Sequence, residues 1–595
     1  MADRRLLDQA LAEMKTNPEQ LAAVNERDHC VVLAGPGSGK TKTLTVGMAR
    51  ALLEDVTEPR GIACITYNQE CAIELEGRLA KLGIEPSDRI FVGTVHSFAL
   101  SQIIYPYARC VLPELPSDFR VATDAERKDA IATAYRRAIN QNENPLERWR
   151  FAEAKRRTDV DRTKPEWRGR NPELATFIEA YESDIHRRGL IDFDDMPLLA
   201  VRMLQEHRWI REAVNAKFPI LFVDEYQDLG HALHELVLLL CFSGGTRLFA
   251  VADPDQSIYA FTGANPELVA NLLKREGVRS IRLRFNYRSG KNLVDAGKAA
   301  LGEDRGYTAP DGAHDGSLYF HKIEGGLAAQ ATFVVDQLIP KIQAEGIALD
   351  EIAVLYRTAP QGNEVAQAAS QVGLPFVRAD AQALVKRSSR LSRFLESCAY
   401  WVAGGWKESN PPFRRLVREA TALIFGGNAS REERRQVEEE LIAFLHRSIN
   451  AGYSTHEWLV EFRREVLEHW RKRARVVSDD WGAIDQMAEK TDPTMSGEDM
   501  PLAHFGGRLE GAGRLNLSTL HSAKGREFDS VILFGMNEGI IPDFRDRGPE
   551  QLREARRLFY VGVTRPRKEL HLTFSKGNHS PWVKELYERT RKAAT

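Results

Sequence analysis

Read as a pattern of apolar and polar positions, the chain alternates short hydrophobic runs with longer segments of helical composition. The first set of runs covers residues 30–33, 62–65, 90–95, 220–223, 248–251 and 281–283. Each is nearly continuous in β-branched and apolar side chains, as expected of strands buried on both faces of a parallel sheet. Polar clusters follow directly: Thr66-Tyr67-Asn68, Thr94-Val95-His96-Ser97, Asp224-Glu225, Asp253 to Gln256 and Asn286-Tyr287-Arg288. Ligands of open α/β sheets bind beyond the carboxyl ends of the strands, so these clusters should meet on one edge. A second set of runs, 318–320, 352–355, 531–534 and 570–573, predicts another sheet. Two stretches rich in helix formers interrupt the pattern, one between His96 and Phe193 and one over about 386–507. The chain therefore reads as two α/β sheet domains, each carrying a helical insertion. Residues 491–502, with two prolines and little apolar content, read as an exposed loop.

Composition narrows this only slightly. Of 595 residues, 43% are hydrophobic and 28% charged, as in a globular protein. Lys plus Arg is 82 against 84 Asp plus Glu, a formal net charge of −2. Neutrality does not exclude nucleic acid, because a local basic groove suffices for phosphate contacts. No two of the six cysteines form a C-x-x-C pair, so neither a zinc nor an iron–sulfur site is expected. Cys30, Cys64 and Cys241 sit in apolar runs and read as core thiols of a reducing cytosol. No signal peptide and no bilayer-length apolar stretch is present, which predicts a cytoplasmic protein.

The chemistry begins at Ala34-Gly35-Pro36-Gly37-Ser38-Gly39-Lys40-Thr41, which follows one apolar run and opens a helical one. A Gly-rich loop in that position turns successive backbone N–H groups onto a phosphate, and the helix adds its positive end. Lys40 can reach the β- and γ-phosphates, and the Thr41 hydroxyl can ligate Mg²⁺. Asp224-Glu225, after an apolar strand, supplies the other half: Asp224 for the metal through water, Glu225 to orient and deprotonate the attacking water. A Glu beside the metal Asp argues against a signalling GTPase, which positions its water with Gln. Upstream, Asn17-Pro18 reads as a helix cap with Pro at the first helical position. Gln20, on that first turn, can pair with an adenine edge or simply face solvent. Arg148, Arg150, Lys155, Arg156, Arg157, Lys164, Arg168 and Arg170 form a basic run in the first insertion, either a solvated helical face or a nucleic-acid contact.

Taken together and in order, Gln20, the AGPGSGKT loop, GTVHSF (93–98), VDEYQD (223–228), DPDQSIYAFTGA (253–264), NYRS (286–289), TLHSAKGREFDSVILFGMNEGIIP (519–542) and EARRLFYVGVTRPR (554–567) resemble superfamily 1A DNA helicases of the UvrD/Rep/PcrA group. The resemblance runs over about residues 15–575. It implies two RecA-like P-loop domains with mainly helical insertions: 1A (1–97 and 196–290), 1B (98–195), 2A (291–385 and 508–595) and 2B (386–507). ATP would bind between 1A and 2A, and single-stranded DNA would cross their top and move 3′ to 5′. The implied catalytic set is Lys40, Asp224, Glu225, Gln256, Arg288 and Arg565, with Thr41 and Asp224 on Mg²⁺. The implied nucleotide set is Gln20, Ala34, Gly35, Pro36, Gly37, Ser38, Gly39, Lys40, Thr41, Lys42, Tyr287, Arg288, Glu527 and Arg565. Within it Gln20 and Tyr287 meet the adenine, Glu527 the ribose, Gln256 the γ-phosphate, and Arg288 and Arg565 are arginine fingers. Tyr67, His96, Tyr259, Phe261 and His521 would contact DNA, the first four by stacking on bases; Phe98 and Phe261 read equally as core.

Departures from the family pattern bear on the DNA side and, at Pro566, on the angle of the Arg565 finger. Phe261 stands where Trp is usual, Thr262 where Arg is usual, Glu70 in place of a basic residue, and Pro566 in place of Ala. The second insertion lacks the Gly-Ile-Gly segment used on duplex DNA; around 415–428 it reads RLVREATALIFGGN. The chain ends soon after the last motif, so neither a nuclease domain nor a long interaction tail is expected. The reading is thus an ATP-dependent 3′-to-5′ translocase and helicase, acting on single strands and single-/double-strand junctions, monomeric without ligands, in DNA repair, replication restart or recombination. The alternative is a protein-displacing translocase, or the motor subunit of a repair or defence complex with its own protein partners, with weak intrinsic unwinding. A scaffold with a degenerate ATP site is disfavoured because the catalytic set is complete.

Overall fold

The structure, a computed structural model, describes residues 4–593 except 68, 86, 117, 140–141, 170, 381–382, 387–388, 409–410, 426–428, 475–478, 497–499 and 507–512. The side chains of Glu70 and Phe261, Arg170 of the basic run and residues 426–428 of the second insertion lie outside this description.

Two six-stranded sheets, parallel throughout, organise the chain. The first contains β1 (His29–Ala34), β2 (Ile62–Thr66), β3 (Ile90–Thr94), β4 (Ile220–Val223), β5 (Arg247–Ala252) and β6 (Val278–Leu283), in the order β3-β2-β4-β5-β1-β6. The second contains β7 (Ser317–Ile323), β8 (Ile352–Tyr356), β9 (Phe376–Ala379), β10 (Leu515–Thr519), β11 (Phe528–Leu533) and β12 (Pro566–Ser575), in the order β9-β10-β8-β11-β12-β7. The expected fold class, two parallel-sheet α/β units with helical insertions, is what the molecule has.

The central strands of both sheets are buried on both faces, which explains their unbroken apolar runs. In β1, Val31 and Leu33 share a core with Leu221 and Phe98, while Cys30, Val32 and Ala34 share another with Leu44 and Phe249. In the second sheet, Ala353 and Leu355 point to one core and Ile352, Val354 and Tyr356 to the other. Phe98 is fully buried and therefore core. Strands β9 and β10 were not singled out in the sequence. β9 is a short, half-buried edge strand, and β10 carries Asn516 and Ser518 in its interior. The buried amide of Asn516 is satisfied by the carbonyls of Asp350, at 2.7 Å, and Ile352, at 3.2 Å.

The first insertion packs the helices Asp124–Ala138, Pro145–Thr158 and Pro172–Arg187 around Trp149, Phe177 and Tyr181. A two-residue parallel ladder, Arg120–Val121 with Leu190–Ile191, closes its neck. The second insertion is helical, with Phe394, Phe444, Trp458, Phe462 and Trp470 at its centre. Residues 491–502 are not simply an exposed loop: Thr491 is buried, Pro493–Ser496 is helical, and Thr455 donates its N–H to the Met500 carbonyl at 2.8 Å.

The basic run of the first insertion is largely an internal ionic network. Arg156 is 0% exposed and donates to Glu182 at 2.7 Å, to Asp192 at 2.8 Å and to Asp195. Tyr181 adds a hydrogen bond to Asp192 at 2.7 Å. Arg157 meets Asp194 at 3.0 Å, Arg148 meets Glu173, Lys155 meets Asp159 at 2.6 Å and Arg168 meets Glu179 at 2.6 Å. Neither a solvated face nor a DNA surface describes Arg156; it is the counter-charge for a buried acidic neck.

Candidate nucleotide site and DNA-facing edge

The two sheets face each other by opposite edges. The first presents the carboxyl ends of its strands: the phosphate loop after β1, Asp224 after β4, Asp253 after β5 and Asn286 to Arg288 after β6. The second presents strand beginnings: Glu351 precedes β8, Glu527 precedes β11 and Arg565 precedes β12. Between them lies a cavity of about 610 Å³ lined by Lys40, Thr41, Asp224, Glu225, Gln256, Arg288, Glu527 and Arg565, among others. Residues as far apart in the chain as Pro36 and Arg565 thus share one space.

The phosphate loop opens the helix Lys40–Arg50 from Gly39, whose φ of +81° favours glycine. A Cβ there would lie 2.3 Å from Nε2 of Gln20. Gln20 is buried, donating from Nε2 to the Ser38 carbonyl at 2.9 Å, so the solvated helix-face alternative does not hold. Its helix starts as expected: Asn17 Oδ1 accepts from the Gln20 N–H at 3.0 Å, and Pro18 is the first helical residue. The other Asn17 arm, Nδ2, donates to the Tyr287 hydroxyl at 2.8 Å. Tyr287 stands 48% exposed, and its N–H donates to the Gly37 carbonyl at 2.9 Å. Ala34 ends β1, Pro36 and Gly37 line the cavity, and the buried Ser38 hydroxyl donates to the Gly35 carbonyl at 2.7 Å. The Lys42 ammonium leaves the loop and pairs with Glu13 at 2.7 Å.

At the far end, the Lys40 ammonium lies 3.5 Å from Glu225 and 3.8 Å from Asp253. Glu225 is the only non-glycine residue among those described with positive φ, +49°. That left-handed backbone costs about 1–2 kcal/mol for an L-residue, and such strain clusters at functional sites. It lets the Glu225 N–H bond Asp224 Oδ1 at 3.0 Å. Burial, reinforced by the Glu225 charge, pushes the Asp224 pKa up. Burial acts likewise on Glu225, but the ammoniums of Lys40 and Lys524 outweigh it and hold that carboxyl low.

Gln256 donates from Nε2 to Asp253 Oδ2 at 2.6 Å, and its Oε1 accepts from Arg565 Nη2 at 3.3 Å. Arg565 is anchored by the Val561 carbonyl at 2.9 Å, so Pro566 leaves the guanidinium aimed into the cleft. Arg288 pairs with Glu527 and reaches the Thr564 carbonyl at 3.4 Å.

Three further residues to which the sequence reading gave no role join this site, although it placed Asp253 in a polar cluster at this edge. Gln227 is buried, donates to Glu225 and accepts from the Asp253 N–H at 2.8 Å. Lys524 crosses from the second sheet domain to Asp228 and to the Gln256 carbonyl, the latter at 2.7 Å. Asp253 is the acceptor common to Lys40 and Gln256. All three sit inside motifs already quoted; their neighbours drew attention first.

A second group lies towards the other ends of the same loops. Tyr67 and Tyr259 stack at 5.1 Å and 20°, and Tyr259 lies 6.4 Å from His521 and under the Lys524 ammonium at 5.1 Å. Tyr67 donates to Thr262, whose hydroxyl donates to the Tyr259 carbonyl at 2.8 Å. His96 stacks on Phe193 at 4.1 Å, and Phe193 is 61% exposed. Phe193 was missed because it sits among acidic residues at a helix start. Arg357, directly after β8, keeps a buried Nε with no hydrogen-bond partner among the described residues and helps lower the His521 pKa. The loop 520–527 runs from the end of β10 to the start of β11. That crossover is how one motif carries His521 on this edge and Glu527 in the cleft.

Comparison with known proteins gives one family. A family model described as the UvrD/REP helicase N-terminal domain matches residues 16–276, and one described as the UvrD-like helicase C-terminal domain matches 507–577. The chain is 26% identical to the ATP-dependent DNA helicase PcrA of Leuconostoc citreum, over 97% of this chain and 83% of the relative. It is 28% identical to DNA helicase II of Escherichia coli (strain K12), over 97% and 86%. It is 24% identical to the ATP-dependent DNA helicase Rep of Buchnera aphidicola, over 92% of each. Among the described residues, no helix is long and apolar enough to cross a membrane.

Proposed function

Because the chain belongs to the UvrD/Rep/PcrA family of superfamily 1 helicases, an ATP-hydrolysing family of DNA helicases, we propose that it is a 3′-to-5′ single-stranded DNA translocase driven by cleft closure. The observation that carries this is the contact of Arg565 with Gln256 across the cleft. It makes the hydrolytic end of the site depend on the relative position of two sheet domains. The working division is 1–97 with 196–290, 98–195, 291–385 with 508–595, and 386–507.

In this reading Gln20 and Tyr287 hold the adenine, Glu527 the ribose, and the loop N–H groups with Lys40 the phosphates. Glu225, its carboxyl kept ionised by two ammoniums, takes the proton of the attacking water. Gln256 orients that water. Arg288 and Arg565 oppose the charge that builds on the transferred phosphoryl.

Among the described residues no group of three or more His, Cys, Asp or Glu could by itself hold a metal. One hydroxyl, Thr41, and one buried carboxylate, Asp224, instead fit an ion that keeps water and takes its remaining ligands from phosphate, as Mg²⁺ does. When bound, such an ion neutralises phosphate charge.

Tyr67, His96, Phe193, Tyr259 and His521 form the DNA edge. Aromatic faces accept any base, which suits a motor indifferent to sequence. The test is ATP hydrolysis with and without single-stranded DNA, followed by unwinding of duplexes with 3′ or 5′ tails. Equal hydrolysis in both conditions would sink the motor, and unwinding only from a 5′ tail would reverse the polarity.

One observation favours the second reading, a protein-displacing or complex-bound motor that unwinds poorly alone. Arg418, in the stretch where the family pattern would have its duplex-binding segment, pairs with Glu76 of the first sheet domain at 3.1 Å. Comparing strand separation with displacement of a DNA-bound protein distinguishes the two.

A further inference from the structure

We propose that Arg305 is a positioning residue for Gln256, acting through Asp255, and that residues 303–308 form a strap by which the second sheet domain sets the hydrolytic end of the first. The inference rests on the reading of the cleft as an ATP site. The strap follows the helix Lys291–Leu301, whose Leu293, Ala296 and Ala300 share a core with Leu558, Leu570 and Leu572 of the second domain. From there the chain returns to the first domain and is fastened at three places.

One fastening is backbone. The Asn286 N–H donates to the Thr308 carbonyl at 2.8 Å, and the Thr308 N–H donates to the Arg284 carbonyl at 2.9 Å, as an extension beyond β6. Another is steric. The Tyr307 ring lies flat against the phosphate loop, so close that a Cβ on Gly35 would stand 2.5 Å from it. The third is ionic. Arg305 Nε meets Asp255 Oδ2 at 2.9 Å, and Nη2 meets Oδ1 at 2.9 Å.

A two-pronged guanidinium–carboxylate pair fixes direction as well as distance. Asp255 is the central residue of the one-turn helix Pro254–Gln256, and its N–H is capped by Asp253 Oδ1 at 3.2 Å. So short a turn has little internal bonding to define it. Its orientation is set from outside, by Arg305 on one side and by Gln227, through Asp253, on the other. The same turn presents Gln256 to Asp253 and Arg565. A shift of the second domain is therefore transmitted to Gln256 by two routes: directly through Arg565, and from behind through the strap.

Lysine at 305 keeps the charge but loses the fork, so it separates positioning from simple charge compensation. We compare the whole chain as wild type, Arg305→Lys, Arg305→Gln, Gln256→Ala and Arg305→Lys with Gln256→Ala. The readouts are ATPase with and without oligo-dT, KM for ATP and binding of a fluorescent ADP analogue. Both Arg305 variants are expected to lose about tenfold or more in DNA-stimulated kcat, a typical cost of misplacing a catalytic group, with KM and ADP affinity within about twofold. In the Gln256→Ala background Arg305→Lys should add less than about twofold, because both changes act on one group. Wild-type kcat in Arg305→Lys, a full multiplicative loss in the double variant, or a loss carried by KM and ADP affinity overturns the strap. Absence of DNA-stimulated hydrolysis in the wild type itself would overturn the functional reading, and the strap with it.

Discussion

Arg565 Nη2 and Gln256 Oε1, 309 positions apart in the chain, meet at 3.3 Å with both side chains buried. Burial, aided by the Arg288 charge, lowers the Arg565 pKa to about 9, so the group is still a cation at neutral pH. A buried cation that pairs with no carboxylate among the described residues is prepared for an incoming anion. Arg565→Ala is expected to lower DNA-stimulated kcat by ~10³ or more, the scale of an arginine finger. Nucleotide binding, measured with a fluorescent analogue, should survive. Glu225→Gln should also bind nucleotide and fail to hydrolyse it, whereas Lys40→Ala should weaken both.

The acidic neck of the first insertion is gathered around one residue, with Arg162 on Glu182 and His186 on Asp195 as further partners. Arg156→Leu leaves Glu182, Asp192 and Asp195 buried without their common counter-charge. Removing one partner of such a network costs about 3–5 kcal/mol. A clear fall in Tm by calorimetry is expected, while the exposed Arg150→Leu should leave Tm nearly unchanged. Equal behaviour of the two variants would contradict the network.

On the DNA edge, Phe193→Ala and Tyr259→Ala should each weaken single-strand binding by ~1–3 kcal/mol, the worth of one stacked base. Fluorescence anisotropy at fixed salt measures it. His96 stacks on Phe193, so His96→Ala and Phe193→Ala should combine to less than the sum of their separate effects.

Burial lowers the pKa of both His96 and His521 to about 4. Both imidazoles are therefore neutral throughout pH 6–8, and single-strand affinity at constant ionic strength should be flat there. A binding transition centred near pH 6.5 would count against this burial. The stability consequence has a definite sign. Unfolded histidines protonate near 6.5 while the folded ones resist until about 4. Their contribution is full above pH 6.5 and is lost as the pH falls towards 4.

Much of the cleft was legible because its chemistry is local in sequence. Gly39, Lys40 and Thr41 form one turn, and Asp224-Glu225 directly follow a strand; such groups need only their neighbours to be recognised. The positive φ of Glu225 was not legible, since nothing in its side chain calls for that backbone. Arg156 was misread for a related reason. A cation in a run of cations looks solvated until the fold brings three carboxylates to it from 26 to 39 positions away.

By itself the sequence determined two parallel sheets, through apolar runs that only double burial explains, and a nucleotide site, through residue types that phosphate chemistry requires at fixed spacing. The family resemblance placed Arg565 at the gap between the sheets; tertiary structure alone decided what it touches there and which other groups cross. Arg565 on Gln256, Lys524 on Asp228 and Arg305 on Asp255 are each long-range pairs. The carboxyl edge of one sheet faces the strand beginnings of the other, and no local pattern encodes that meeting.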